Sequence, residues 1–239
     1  MTQLSVIIPA YNDAEHLEEL LETVRDQQFE DYEVIVKDAE STDDTEEVAK
    51  SFDVQFVSSE DHGPGDARNQ GVEKAEGDIV LFLDADTRLM HEKVFDNVIE
   101  TMQDDSVVGG SSTWKTYDTN IRGKLMLGAG SFMMKIANMT GVMTAGVGTF
   151  MFVDRKVFQH IGGYDAELPY HEDHALLEEL EEYGEIKILD KQVWVSGRRV
   201  SQRGMIGTFM DYIPPSLNYM VGREEYVKEK YTFRSSSGN

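Results

Sequence analysis

The chain opens on an apolar run, Leu4-Ser-Val-Ile-Ile8, followed from Glu15 to Gln28 by Leu17, Leu20, Leu21 and Val24 at helical spacing. The pairing of a short apolar run with an amphipathic stretch recurs. Strands are predicted at Tyr32–Val36, Val54–Val57 and Asp78–Leu83, and helices at Asp43–Ser51, Gly65–Ala75 and His91–Met102. This alternation predicts an α/β fold with a mostly parallel central sheet and helices on both faces. In such sheets ligands bind beyond the carboxyl ends of the strands. The loops after Ile8, Val36 and Leu83 are therefore the places to look for chemistry.

The second half is less regular. Strands are predicted at Val107–Ser111, Ile186–Leu189 and Val193–Val195, with helices at Asp154–Ile161 and Glu172–Tyr183. The stretch Ile121–Met151 is rich in Gly, Met, Ala and Phe and poor in charge, with Lys124 and Lys135 among its few charged residues. Gly128, Gly130, Gly141, Gly146 and Gly148 break it up, which argues against a membrane-spanning helix. It reads either as core plus a loop walling an acceptor site, or as an interfacial surface. In the second reading Met126, Leu127, Phe132 and Met133 face acyl chains while the lysines meet headgroups. Met205–Met220 is apolar and interrupted by Pro214-Pro215, and the tail from Arg234 is expected to be disordered. The organisation that follows is one domain with residues 1–110 as its first half, 111–204 as its second, and 205–239 as a C-terminal helical extension and tail.

Charge narrows the partners. Forty-five acidic against 22 basic residues give a net charge of −23. A field of that sign repels a nucleic-acid backbone, so no nucleic-acid partner is expected. Acidic runs such as Glu178-Glu179-Leu180-Glu181-Glu182 read as solvated helix faces, and the excess fits the acidic proteome of a high-salt cytoplasm. The absence of cysteine excludes disulfides, thiolate metal sites and cysteine nucleophiles. The first residues show neither a basic segment nor an apolar signal core. A cytoplasmic location is expected, with peripheral contact on the inner face of the membrane through 121–151 as the alternative.

The sharpest chemical signal is Asp84-Ala85-Asp86, directly after the apolar run Ile79–Leu83. Two carboxylates separated by one residue at a strand's end can share a single hard cation such as Mg²⁺ or Mn²⁺. A capped turn before the helix at His91 would give the same short pattern. Three further turns join it. Val6-Ile-Ile-Pro-Ala-Tyr-Asn12 is a strand opening into a turn, in which Pro9 ends the pairing and Asn12 can cap the next helix. Asp38 is followed by Ser41-Thr42-Asp43-Asp44-Thr45, and Gly63-Pro-Gly-Asp-Ala-Arg-Asn69 places Arg68 in a helix's first turns. Glu172-Asp173 opens an acidic helix, where the helix dipole favours carboxylates. Arg198, Arg199 and Arg203 form a local basic cluster suited to phosphate oxygens or to surface carboxylates. Gly146-Val-Gly148 allows a close backbone approach.

The order and strand-end placement of these stretches resemble the family 2 glycosyltransferases, inverting enzymes of the GT-A fold. The match includes Val6–Asn12, Asp38 with Ser41–Thr45, Ala67-Arg68-Asn69 with Gly71, Asp84-Ala85-Asp86, Phe158 through Ile161-Gly-Gly-Tyr-Asp165, and Glu172-Asp173. The resemblance implies transfer of a sugar from a nucleoside-diphosphate sugar, first a UDP-sugar and second a GDP-sugar, to an acceptor hydroxyl or phosphate. It implies a nucleoside pocket at Pro9, Tyr11 and Asp38, and Arg68 near the base or diphosphate. Asp84 would meet the ribose or a metal-bound water, and Asp86 the Mg²⁺ or Mn²⁺ itself. Ala10, Asn12 and Ala85 belong to the same motifs and are counted as substrate-binding, with Gly148 near the sugar and Arg198, Arg199 and Arg203 near a phosphate. Asp173 is the expected general base, with Glu172 positioning the acceptor or the base. A glycan or a polyprenyl-phosphate-linked molecule is the expected acceptor. Two departures stand out: Ala39-Glu40 follow Asp38 where the family often has a second acid and Gly, and Asp13 stands where it commonly has Glu. A nucleotidyltransferase or a non-catalytic nucleotide-sugar binder are the alternatives.

Overall fold

The computed structural model describes residues 2–117, 121, 123–125, 128, 129, 132, 149–168 and 172–197. In chain order the elements are β1 (Leu4–Ala10), α1 (Ala14–Arg25), β2 (Tyr32–Asp38), α2 (Thr45–Lys50), β3 (Gln55–Ser58), α3 (Pro64–Val72), β4 (Ile79–Leu83) and β5 (Thr87–Leu89). They continue with α4 (Val94–Met102), β6 (Val107–Tyr117), β7 (Phe150–Asp154), α5 (Arg155–Ile161), α6 (Glu172–Glu181) and β8 (Glu185–Ser196).

The strands form one eight-stranded sheet in the order β3-β2-β1-β4-β7-β6-β8-β5. β3, β2, β1 and β4 run parallel, and β6 and β8 are parallel to each other. β7 is antiparallel to both β4 and β6, and β5 is antiparallel to β8. The mostly parallel α/β architecture expected from the sequence is thus present.

The period-2 alternation along each strand builds a core on each face of the sheet. Val6, Ile8, Val36, Leu81, Leu83 and Phe152 point to one side, where they meet Leu17, Leu20 and Leu21 of α1 and Phe95 and Val98 of α4. Ile7, Ile35, Val80, Phe82, Met151 and Val153 point to the other, where Val72 of α3, Phe158 of α5 and Leu176, Leu177 and Leu180 of α6 cover them. Strands buried on both faces read as continuous apolar runs for this reason.

Some elements differ from the sequence expectation. Pro9 does not end β1: pairing with β2 runs on to Ala10↔Asp38, while pairing with β4 stops at Ile7↔Phe82. α4 starts at Val94 and not at His91, because Gln27 Oε1 accepts from the Val94 and Phe95 amides while its Nε2 donates to the His91 carbonyl. The two strands expected at 186–189 and 193–195 are one strand, β8, bent at Lys191 (φ 53°) where its register against β6 shifts. β5 and β7 were not expected at all. Among the described residues no helix is long and apolar enough to cross a membrane.

Candidate active site

The carboxyl ends of β1, β2 and β4 lie side by side in the parallel part of the sheet, so their three loops share one edge. Asn12, in the first loop, has a left-handed backbone (φ 47°), which asparagine tolerates better than most residues. It does not cap α1. Its Oδ1 accepts from the Thr42 amide (2.8 Å), and its own amide donates to Ser41 Oγ (2.8 Å). Asp43 reaches back to accept from the Ala14 amide in the first turn of α1 (3.2 Å), as well as from Thr45. Burial pushes the Asp43 pKa up, but the hydrogen bonds from Thr45 and Ala14 together outweigh it and leave the carboxyl below its ordinary range. The Ser/Thr/Asp cluster therefore laces the β1 and β2 loops together in addition to opening α2.

Asp38 closes β2 and is 2% exposed. Its Oδ2 accepts from the Ser41 amide (3.0 Å) and Ser58 Oγ (2.8 Å). Its Oδ1 is buried without a hydrogen-bond partner. An unmet buried carboxylate oxygen is costly, so this atom is an acceptor suited to an N–H from a bound molecule. Beside it lies Ala10, the last residue of β1, preceded by Pro9, and Tyr11 is 41% exposed.

Arg68 is the centre of the arrangement. α3 lies close on β1 because Gly71 has no side chain: a Cβ there would sit 2.4 Å from Ile7 Cγ2. That approach buries Arg68, whose side chain is 3% exposed. Nη2 donates to Asp84 Oδ1 (2.8 Å), and Nη1 donates to Glu172 Oε1 and Asp173 Oδ1 (3.3 Å each). The guanidinium also stands 5.2 Å from the ring centre of Tyr164. Burial alone would lower the Arg68 pKa. The carboxylates of Asp173, Asp84 and Glu172 reverse that and hold it well above its usual value. Tyr164 is clasped by Asn69, which accepts from its amide and donates to its carbonyl at 2.9 Å each. Burial pushes the Tyr164 phenol well above its ordinary value, so it stays neutral.

Asp84 and Asp86 follow β4. The chain turns there because Thr87 donates from its amide (3.1 Å) and its hydroxyl (2.8 Å) to the Asp84 carbonyl. The Asp86 carbonyl accepts from Tyr117 Oη (3.1 Å) and the Ser196 amide (3.3 Å), tying the turn to β6 and β8. Ala85 between them is buried, while the Asp84 side chain keeps 30% exposure. Hard carboxylate oxygens at an accessible strand end fit Mg²⁺ or Mn²⁺. Among the described residues no three His, Asp or Glu side chains form a ready-made cation cage, so the remaining ligands of such an ion would come from substrate phosphates and water.

The structure thus brings together Asp84, Arg68, Glu172 and Asp173, and sets Pro9, Ala10, Tyr11, Asn12 and Asp38 along the neighbouring strand ends. Gly148, Arg198, Arg199 and Arg203 lie outside the described residues. Sequence reasoning gave no role to Tyr164, although it stands in the quoted Gly-Gly-Tyr-Asp stretch, nor to Lys37, whose ammonium is fully buried beneath Asp38.

Residues 5–162, more than half of the chain, match the sequence profile described as glycosyl transferase family 2. The glycosyltransferase AglE of Haloferax volcanii is 36% identical over 118 residues, covering 45% of this chain and 38% of AglE. Among solved structures, the mannosyltransferase PcManGT from Pyrobaculum calidifontis, in complex with GDP-Man and Mn²⁺, superposes with a TM-score of 0.66 at 20% identity, over 94% of this chain and 69% of that one. Staphylococcus aureus TarS 1–349 in complex with UDP-GlcNAc gives 0.63 at 20% identity, over 81% and 58%. The chain spans 19% and 38% of the first two curated relatives it matches. The structural likenesses establish the GT-A fold, and the profile establishes the family. The chain belongs to glycosyl transferase family 2.

Proposed function

We propose that the protein transfers a sugar from a nucleoside-diphosphate sugar to an acceptor hydroxyl or phosphate, by single displacement with inversion at the anomeric carbon. One observation carries the reading: acids from two separate motifs, Asp84 after β4 and Glu172-Asp173 at the start of α6, converge on one buried guanidinium. A donor-side carboxylate and a separate base are the two parts such a displacement needs.

Asp38 Oδ1 accepts an N–H of the nucleobase, and the exposed Tyr11 ring offers a stacking face. Asp86 and Asp84 would hold Mg²⁺ or Mn²⁺, which would supply positive charge to offset that of the departing diphosphate. Asp173 removes the acceptor proton as that oxygen bonds to the anomeric carbon. The bond from that carbon to the diphosphate oxygen breaks, and the nucleoside diphosphate leaves with the electron pair. Glu172 orients the acceptor or the base. UDP-sugars are the first donors to try and GDP-sugars the second, since the neighbours above were solved with UDP-GlcNAc and GDP-Man. The acceptor is a glycan or a polyprenyl-phosphate-linked molecule. The exposed Ile121, Leu125 and Phe132, all helical, support contact with a membrane surface. Met126, Leu127, Met133 and Lys135 of that reading lie outside the described residues.

Incubation with UDP-GlcNAc, UDP-glucose and GDP-mannose in the presence of Mn²⁺ tests the reading. Release of UDP or GDP is expected. Asp173→Asn should still bind the donor but lose at least ~10²–10⁴-fold in turnover. Release of pyrophosphate would mark a nucleotidyltransferase, and binding without release a nucleotide-sugar binder. Normal turnover in Asp173→Asn would remove it as the base.

A further inference from the structure

We infer that Arg68 is a positioning residue that couples the two sides of the site, sharing one guanidinium between the cation-side Asp84 and the base-side Glu172-Asp173 pair. The inference rests on the proposed reading of those acids and adds a link between them.

The geometry is specific. A guanidinium presents its donors in a rigid fork. Here Nη2 is committed to Asp84 and Nη1 to both Glu172 and Asp173. The fork itself cannot drift, because α3 is seated on Ile7 and Tyr164 lies against the guanidinium. The Arg68 side chain is buried, so solvent screens these interactions weakly. Three carboxylates therefore compete for one cation at fixed distance.

Competition makes the two sides interdependent. Were Asp84 engaged by a divalent ion, its hold on Nη2 would weaken, and the Arg68 charge would fall more fully on Glu172 and Asp173. Removing charge from Asp173 does the reverse: Arg68 holds Asp84 more tightly, and the ion meets a stronger competitor. Linkage requires the effect to be reciprocal. Loading the donor side would thus change how the base is held, although donor-side and base-side acids sit on different elements.

The test is a binding cycle on the full chain, with Mn²⁺ plus UDP and Mn²⁺ plus GDP as probes in titration calorimetry. Asp173→Asn should weaken binding of the nucleotide that the wild type takes by about fivefold or more. In an Arg68→Lys background, where a single ammonium cannot bridge both sides, the same substitution should change affinity by less than about twofold. An equal effect in both backgrounds, or none in the wild type, overturns the coupling. A purely structural arginine would lower stability yet leave the effect of Asp173→Asn the same in both. Should Arg68→Lys fail to fold, Asp84→Asn and Asp173→Asn are compared singly and together in urea. Non-additive losses are expected, and additive losses overturn the inference. If the wild type binds neither nucleotide, the donor-site reading fails, and this inference falls with it; binding without the cycle sinks the coupling alone.

Discussion

Lys37 places its ammonium beneath the candidate nucleoside pocket with no exposed surface. Nζ donates to the carbonyls of Ser59 (2.7 Å) and Asp38 (2.9 Å) and to Asp61 Oδ2 (3.3 Å). Asp61 Oδ1 in turn accepts from the Gly63 amide, so one lysine steadies the end of β2 and the loop leading into α3. Lys37→Met would leave a buried carboxylate and two carbonyls without their donor. A loss of ~3–5 kcal/mol in urea unfolding is expected. A loss under ~1 kcal/mol would contradict the account of this cluster. At this scale the sequence was informative about residue types and silent about partners. Asp38, Arg68, Asp84 and Asp173 stood out through their motifs. That Arg68 meets Glu172 and Asp173, 104 and 105 positions away, follows only from how α3 and α6 pack on the same face of the sheet.

The helices and the parallel strands were legible because each carries its own period. α1 shows a clear apolar stripe, and β1, β2 and β4 are apolar runs bounded by turn residues. β7 was hidden because Phe150-Met-Phe-Val153 is buried on both faces and continues the apolar composition of 121–151. β5 has three residues, too few to show alternation. The start of α4 depends on Gln27, a residue from outside the helix. Strand β6 runs between β7 and β8 and carries Gly109-Gly110, where close neighbours leave no room for a side chain. A Cβ on Gly110 would lie 2.1 Å from the Lys187 carbonyl oxygen and 2.4 Å from Phe152 Cζ. Gly110→Ala forces apart a backbone contact that cannot rotate away. Destabilisation by ~1–3 kcal/mol or more is expected, read as a lower Tm in a thermal melt. An unchanged Tm would show that β6 and β8 are not packed as described.

The whole molecule carries a net charge of −23 at pH 7. Its self-repulsion weakens as salt shortens the Debye length from about 10 Å at 0.1 M to about 3 Å at 1 M. The Tm is therefore expected to rise as KCl goes from low to molar concentration. A flat or falling Tm would contradict an adaptation to high salt. In the proposed reaction an anionic diphosphate would come close to Asp84 and Asp86, which calls for a cation beyond Arg68, already shared among Asp84, Glu172 and Asp173. Titration of UDP and GDP into the wild type and Asp86→Ala, with Mn²⁺ and with EDTA, tests this most directly. Nucleotide binding is expected to depend on Mn²⁺ in the wild type and to lose that dependence in Asp86→Ala. Equal wild-type affinity in Mn²⁺ and EDTA, or full Mn²⁺ dependence in Asp86→Ala, would contradict it.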